Sequence, residues 1–227
     1  MGEMPMPGGP AMSMAWMPLC GQTWTGAAGS FLGMWVAMTA AMMLPSFAPA
    51  LWRYRRAVAS MSAGRLAGLT VLVCVGYLCA WTALGMVAYP VGVAVTTAQM
   101  QLPARARAFP VAVGLAVLIA GAFQFTAWKS RHLACCREAP GDRRLPADAG
   151  TAWRHGLRLG LHCTSCCGNL MAIPLVVGVM DLRAMALVTA AITAERLAPA
   201  REGVARAIGA VVVASGLVLT ARAVALG

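Results

Sequence analysis

From Gly26 to Trp52 the chain carries no charged side chain, and the same holds for Leu66 to Ala104, Phe109 to Trp128, Leu159 to Met180 and Ala207 to Ala221. Runs of about 20 such residues match the ~30 Å apolar core of a bilayer. A chain crossing lipid must also satisfy its own backbone hydrogen bonds, which a helix does within itself. A sixth stretch, Leu182 to Ala194, lies between Asp181 and Glu195. It reaches ~24 Å only by continuing to Leu197, with Arg183 and Arg196 reaching towards water from its two ends. The expected fold is therefore all-α: a polytopic transmembrane bundle of about six membrane helices. It forms one domain over 29–227, preceded by a methionine-rich extracytoplasmic segment over 1–28. The tail of the second run, around Pro90, is expected to leave the membrane as a loop.

Of 227 residues 60% are hydrophobic, and 18 basic side chains stand against 7 acidic ones. Such an excess of positive charge can mark a nucleic-acid binder, but here the charges sit in short loops between apolar runs rather than on one soluble face. Nucleic acid is excluded as a partner on that ground, and lipid is expected. Basic residues also set orientation, because cytoplasmic loops retain them. With the N-terminus outside, Arg53, Arg55, Arg56, Arg65, Lys129, Arg131, Arg137, Arg143, Arg144, Arg154, Arg158, Arg196, Arg201 and Arg206 fall inside. Only Arg105, Arg107, Arg183 and Arg222 fall outside. This bias requires the short 182–197 segment to cross. The reading is a multi-pass inner (plasma) membrane protein with an extracytoplasmic N-terminus. No cleavable leader is expected, since Glu3 and several prolines occupy the place of a basic region followed by an apolar stretch.

The densest chemistry is Leu161-His162-Cys163-Thr164-Ser165-Cys166-Cys167, at the start of an apolar segment. On a helix, Cys163 with Cys167 and His162 with Cys166 are four apart and occupy adjoining stripes. Thiolate and imidazole are costly beside lipid unless paired, and together they are soft metal ligands. A buried cysteine is also an ordinary small core residue, so packing stands as the alternative. In the assumed orientation His132, Cys135 and Cys136 approach the same inner interface, and Met38, Met42 and Glu195 descend towards it. The expected ligand set is Cys163, Cys166, Cys167, Cys136, His132, His162, Met42, Met38 and Glu195. Glu195 can instead be neutralised by Arg196 or by an arginine from another helix. Cys74 and Cys79 read as packing residues.

Methionine is the second unusual feature, sixteen in all, with Met4, Met6, Met12, Met14 and Met17 gathered near the start. A thioether stays a soft ligand in an oxidising compartment, where a thiol would form disulfides. Met34, Met38 and Met42 recur every four residues along one helix face, which suits either a metal path or plain packing.

Several strings occur together in order: Trp35-Val36-Ala37-Met38-Thr39-Ala40-Ala41-Met42-Met43-Leu44-Pro45-Ser46; Phe123-Gln124-Phe125-Thr126 with Lys129; Gly156-Leu157 through Cys163-x-x-Cys166-Cys167 and Leu170-Met171; Gly178-Val179-Met180-Asp181-Leu182-x-x-Met185-Ala186; and Glu195. From about Met12 to Leu219 the chain resembles a bacterial family of predicted metal-binding integral membrane proteins with no settled function. The resemblance implies a multi-helix membrane protein with a metal site. The family pattern has cysteine where His132 stands, asparagine where Asp181 stands and an aromatic residue where Gly168 stands. Histidine leaves a competent ligand at 132 but makes the set less purely thiolate.

Thioether outside and thiolate inside select cuprous copper over hard cations, with zinc or iron as alternatives for the cysteine and histidine set. The function expected is an integral membrane protein that binds or transfers copper(I). Two other classes remain open: a membrane redox enzyme or copper oxygenase-like protein using the cysteine cluster, and an assembly factor or subunit of a larger membrane complex. A homo-oligomer is compatible with the small residues along the helices. No catalytic residue is assigned.

Overall fold

The computed structural model describes residues 4–6, 9–12, 16, 21–59, 61–101, 109–135, 148–178 and 181–226. The all-helical expectation holds for the body of the chain. Among the described residues seven helices follow one another: α1 Trp24–Ala57, α2 Ala63–Gln101, α3 Phe109–Phe123, α4 Ala127–Cys135, α5 Ala149–Val177, α6 Leu182–Leu197 and α7 Arg201–Leu226. An antiparallel pair of short strands, β1 Met4–Met6 and β2 Gly9–Met12, precedes them and sets Met4 opposite Met12.

Two features differ from the sequence expectation. Among the described residues four helices (α1, α2, α5 and α7) are long and apolar enough to cross a membrane, or five spans if α3 and α4, bent by 61° at their break, count as one. The expected sixth, α6, does run to Leu197, but its 16 residues span only ~24 Å, and it carries Arg183, Glu195 and Arg196. Nor does Pro90 end α2, which continues to Gln101. Proline is tolerated inside such helices when neighbouring segments and hydroxyls take up the disturbed backbone groups. Near Pro45 in α1, the Ser46 hydroxyl donates to the Met43 carbonyl at 3.0 Å.

Helix ends follow local chemistry. Thr23 caps α1 by accepting from the Gly26 amide at 3.2 Å, and Asp148 caps α5 through the Thr151 amide at 2.9 Å. Arg55 and Arg56 fall in the last turn of α1, where positive charge suits the helix dipole.

Two tight helix pairs frame the molecule. α2 and α5 run parallel: Gly156 lies so close to Val73 that a Cβ would strike its backbone, and a Cβ on Gly160 would lie 2.7 Å from Ala80 and from the Tyr77 carbonyl. α3 and α7 run antiparallel, with Gly121 against Val213 and Gly114 against Thr220. Where lipid replaces water, close backbone approach through small residues supplies dispersion contacts that apolar burial cannot. Apolar side chains such as Ile119, Leu187 and Val211 point outward from the bundle, as lipid contact requires. Along the α1/α2 seam the aromatic residues Trp16, Phe31, Trp35, Trp81, Phe47 and Tyr77 are buried, and the Trp35 indole donates to the Trp81 carbonyl at 2.8 Å. This seam leads down to the sulfur cluster.

Candidate metal centre

Helix α5 presents Cys163, Cys166 and Cys167 to the interior, all three fully buried. Their spacing puts Cys163 directly below Cys167 on one stripe with Cys166 beside them. Three further helices close on Cys163. From α2 the Tyr77 hydroxyl donates to its sulfur at 3.1 Å, and from α6 the Arg196 guanidinium donates at 3.1 Å. From α1 the Met43 Sδ lies 4.0 Å from the thiol, and the Ser46 hydroxyl accepts a second Arg196 bond at 3.2 Å. A phenol from α2 and a guanidinium from α6 thus converge on one sulfur.

A second polar network sits one residue away on α6. Glu195 pairs with Lys129 at 2.7 Å, both essentially without exposure, and also accepts from the Gln124 amide at 2.7 Å. The Lys129 ammonium donates in addition to the Cys166 carbonyl at 2.6 Å. The break between α3 and α4 makes this possible. The turn at Gln124, Phe125 and Thr126 ends α3, and the 61° bend swings Lys129 inward over α5. Each charge here is expensive to bury and tolerable only with its partner in place.

The expected ligands do not meet at one point. Cys163, Cys166 and Cys167 lie together in the interior. Glu195 faces Lys129 and Gln124, so its neutralising partner is a lysine from α4 rather than an arginine. His132 is half-buried, stacks on Trp128 at 4.3 Å and bonds its Nδ1 to the Trp128 carbonyl at 2.9 Å. His162 is exposed, its ring 6.4 Å from that of His132. Met38 and Met42 are buried in α1, but the thioether beside Cys163 belongs to Met43. Cys136 lies outside the described residues. Among the described residues no three of histidine, cysteine, aspartate and glutamate are arranged to hold a metal ion. The Met43 thioether is a further soft atom standing against Cys163.

Sequence reasoning missed Tyr77, Met43 and Arg196 as neighbours of the thiol, counted Lys129 as a cytoplasmic charge and let Arg196 reach towards water from the end of its helix. Both are buried. With both taken into the interior, the basic residues read as cytoplasmic number twelve against four. A signal for Lys129 was present: it follows Gln124 and Thr126 at the end of an apolar run, and an ionisable residue next to such a run is a candidate for interior work.

No curated protein and no solved structure matches the chain. A family model does, over residues 32–219, from the third turn of α1 to the last turns of α7 and across every residue of both polar networks. That family carries a copper description where the sequence resemblance carried only an unspecified metal. The chain belongs to the PpoB2 family, described as copper chaperone.

Proposed function

We propose that the protein holds cuprous copper inside the membrane and passes it on, with copper as its cargo. Cys163 and Cys167 supply the principal thiolates, and Cys166 and Met43 stand nearest as further sulfur ligands. Cys136 is the next candidate in reach by sequence. The observation that carries this reading is the Cys163 sulfur, held at 3.1 Å by both Tyr77 and Arg196 with the Met43 thioether 4.0 Å away. Soft thiolate and thioether ligands select copper(I) among the common cations, in keeping with the family description. Charge supports the same choice: a cuprous ion on two thiolates carries one net negative charge, which the adjacent guanidinium offsets.

The methionine-rich N-terminal segment is the capture element, on the extracytoplasmic side. Met4 and Met12 face each other across its strand pair, and Trp16 is packed on Phe31 at 4.9 Å, which tethers the segment to the outer end of α1. With α6 returning the chain to the cytoplasmic face, a twelve-to-four charge asymmetry supports that orientation in a bacterial inner membrane.

Metal analysis of protein purified without oxygen tests the proposal. The wild type should retain copper in preference to zinc or iron. Cys163→Ser and Cys167→Ser should each lose most of it, whereas Cys74→Ser and Cys79→Ser should keep it. A metal-free wild type with a titratable dithiol would overturn the copper reading in favour of redox chemistry at the same cysteines.

A further inference from the structure

The two histidines of the region stand apart from the thiols. Cys163 is fully buried under Tyr77 and Arg196, whereas His162, its immediate neighbour in sequence, points out of the bundle. The half-buried His132 of α4 comes to meet it, with ring centroids 6.4 Å apart and planes inclined by 53°. A metal held at ~2.0 Å by one nitrogen of each of two imidazoles in a wide-angle arrangement separates the ring centroids by about 6 Å.

One ring is already oriented. The Nδ1 of His132 is bonded to the Trp128 carbonyl at 2.9 Å, and its face is stacked on the Trp128 ring. A histidine that donates Nδ1–H to a carbonyl has its Nε2 lone pair left for a metal, the arrangement in which metal-ligating histidines are usually found.

We propose that His132 and His162 form a second, exposed copper(I) site of two imidazoles, distinct from the buried thiol site and adjoining it through the His162–Cys163 peptide. This inference rests on the copper reading above and deepens it: copper moves between an interior sulfur site that retains it and an accessible nitrogen site from which it is exchanged. Imidazole is the harder of the two ligand classes and binds copper(I) less tightly than paired thiolates, as an exchange station requires.

The test uses the full chain in lipid nanodiscs, loaded anaerobically with copper(I) alone, with copper stoichiometry and X-ray absorption as readouts. Wild type should bind a first equivalent with sulfur neighbours and a second, weaker one with nitrogen neighbours. A Cys163→Ser/Cys167→Ser variant should keep a nitrogen-coordinated equivalent, and adding His162→Gln should weaken that equivalent on the order of tenfold or more. Because His162 is exposed, His162→Gln alone also reads the site in a folded protein: the second equivalent should be lost and the sulfur-bound one kept. If wild type binds only sulfur-coordinated copper and His162→Gln changes nothing, the second site is overturned while the thiol site stands. If the double cysteine variant holds copper through sulfur, the imidazole assignment is overturned in favour of a remaining thiol. If nitrogen-bound copper alone is seen in wild type, the histidine site holds and the thiol site fails.

Discussion

The Cys163 pocket and the Lys129–Glu195 network lie side by side yet are built from different material. The first is framed by α1, α2 and α5, long helices that have the length and hydropathy to cross a membrane. The second comes from the broken α3/α4 span and the short α6, which together bring in a lysine, a glutamate and a glutamine. Long unbroken helices supply a sulfur-lined interior at low cost, since thiol and thioether are at home among apolar side chains. Charges are brought in only where a helix is interrupted or too short, and α6 then connects the two regions by aiming Glu195 at one and Arg196 at the other.

If that division of labour is right, the largest effect should come from breaking the charged side. Lys129→Met leaves Glu195 buried without its ion-pair partner and should destabilise by about 3–5 kcal/mol, read as loss of thermal stability in detergent. The double change Lys129→Met/Glu195→Leu should recover much of that loss. A single variant as stable as wild type would mean that Glu195 is already neutral or hydrated.

The framing side should respond to volume rather than charge. Gly156→Ala puts a Cβ into the Val73 backbone and should cost about 1–3 kcal/mol, with α2 and α5 forced apart. Gly168→Ala, where a Cβ meets nothing, should be neutral. Copper affinity should fall with the first and not with the second.

Smaller still is the expected effect of Tyr77→Phe, which keeps the packing against Phe47 and removes one donor to Cys163. Copper should still bind, with affinity lowered ~10- to 100-fold, as for other groups that orient a ligand from behind. Equal affinity in a competition assay would detach the phenol from the metal site.

The smallest effect lies outside both regions, at the cap of α5. The Thr151 side-chain bond holds the Asp148 carboxyl below its usual range. A lowered carboxylate contributes stability above its unfolded pKa of about 4, and that contribution fades as pH falls towards the folded value. Asp148→Ala should therefore weaken the first turn of α5 slightly at neutral pH and make no difference in strong acid, as hydrogen exchange of the 149–152 amides would record.

The long apolar helices and the cysteine stripe were legible in the sequence because length, absence of charge and four-residue spacing each have a direct physical meaning. Rotation about α1 was not. The methionines at 34, 38 and 42 form a clear stripe, but when lipid and core are both apolar, hydropathy gives no phase, and Met43 is the one that reaches Cys163. Lys129 was misplaced for a different reason. A lysine at the end of an apolar run normally extends to the interface, and only the turn at Gln124–Thr126 sends it inward to a glutamate 66 residues later in the chain. Such pairing shows in the sequence only as an ionisable residue beside an apolar run, with no sign of its distant partner.

If the buried cysteines on α5 hold copper through sulfur, X-ray absorption of the full-length wild type, loaded anaerobically with one equivalent of copper(I), should show a first coordination shell of two or three sulfur atoms, with no nitrogen needed to fit it. A shell of nitrogen or oxygen at one equivalent would instead leave Cys163, Tyr77 and Arg196 as a structural hydrogen-bond network.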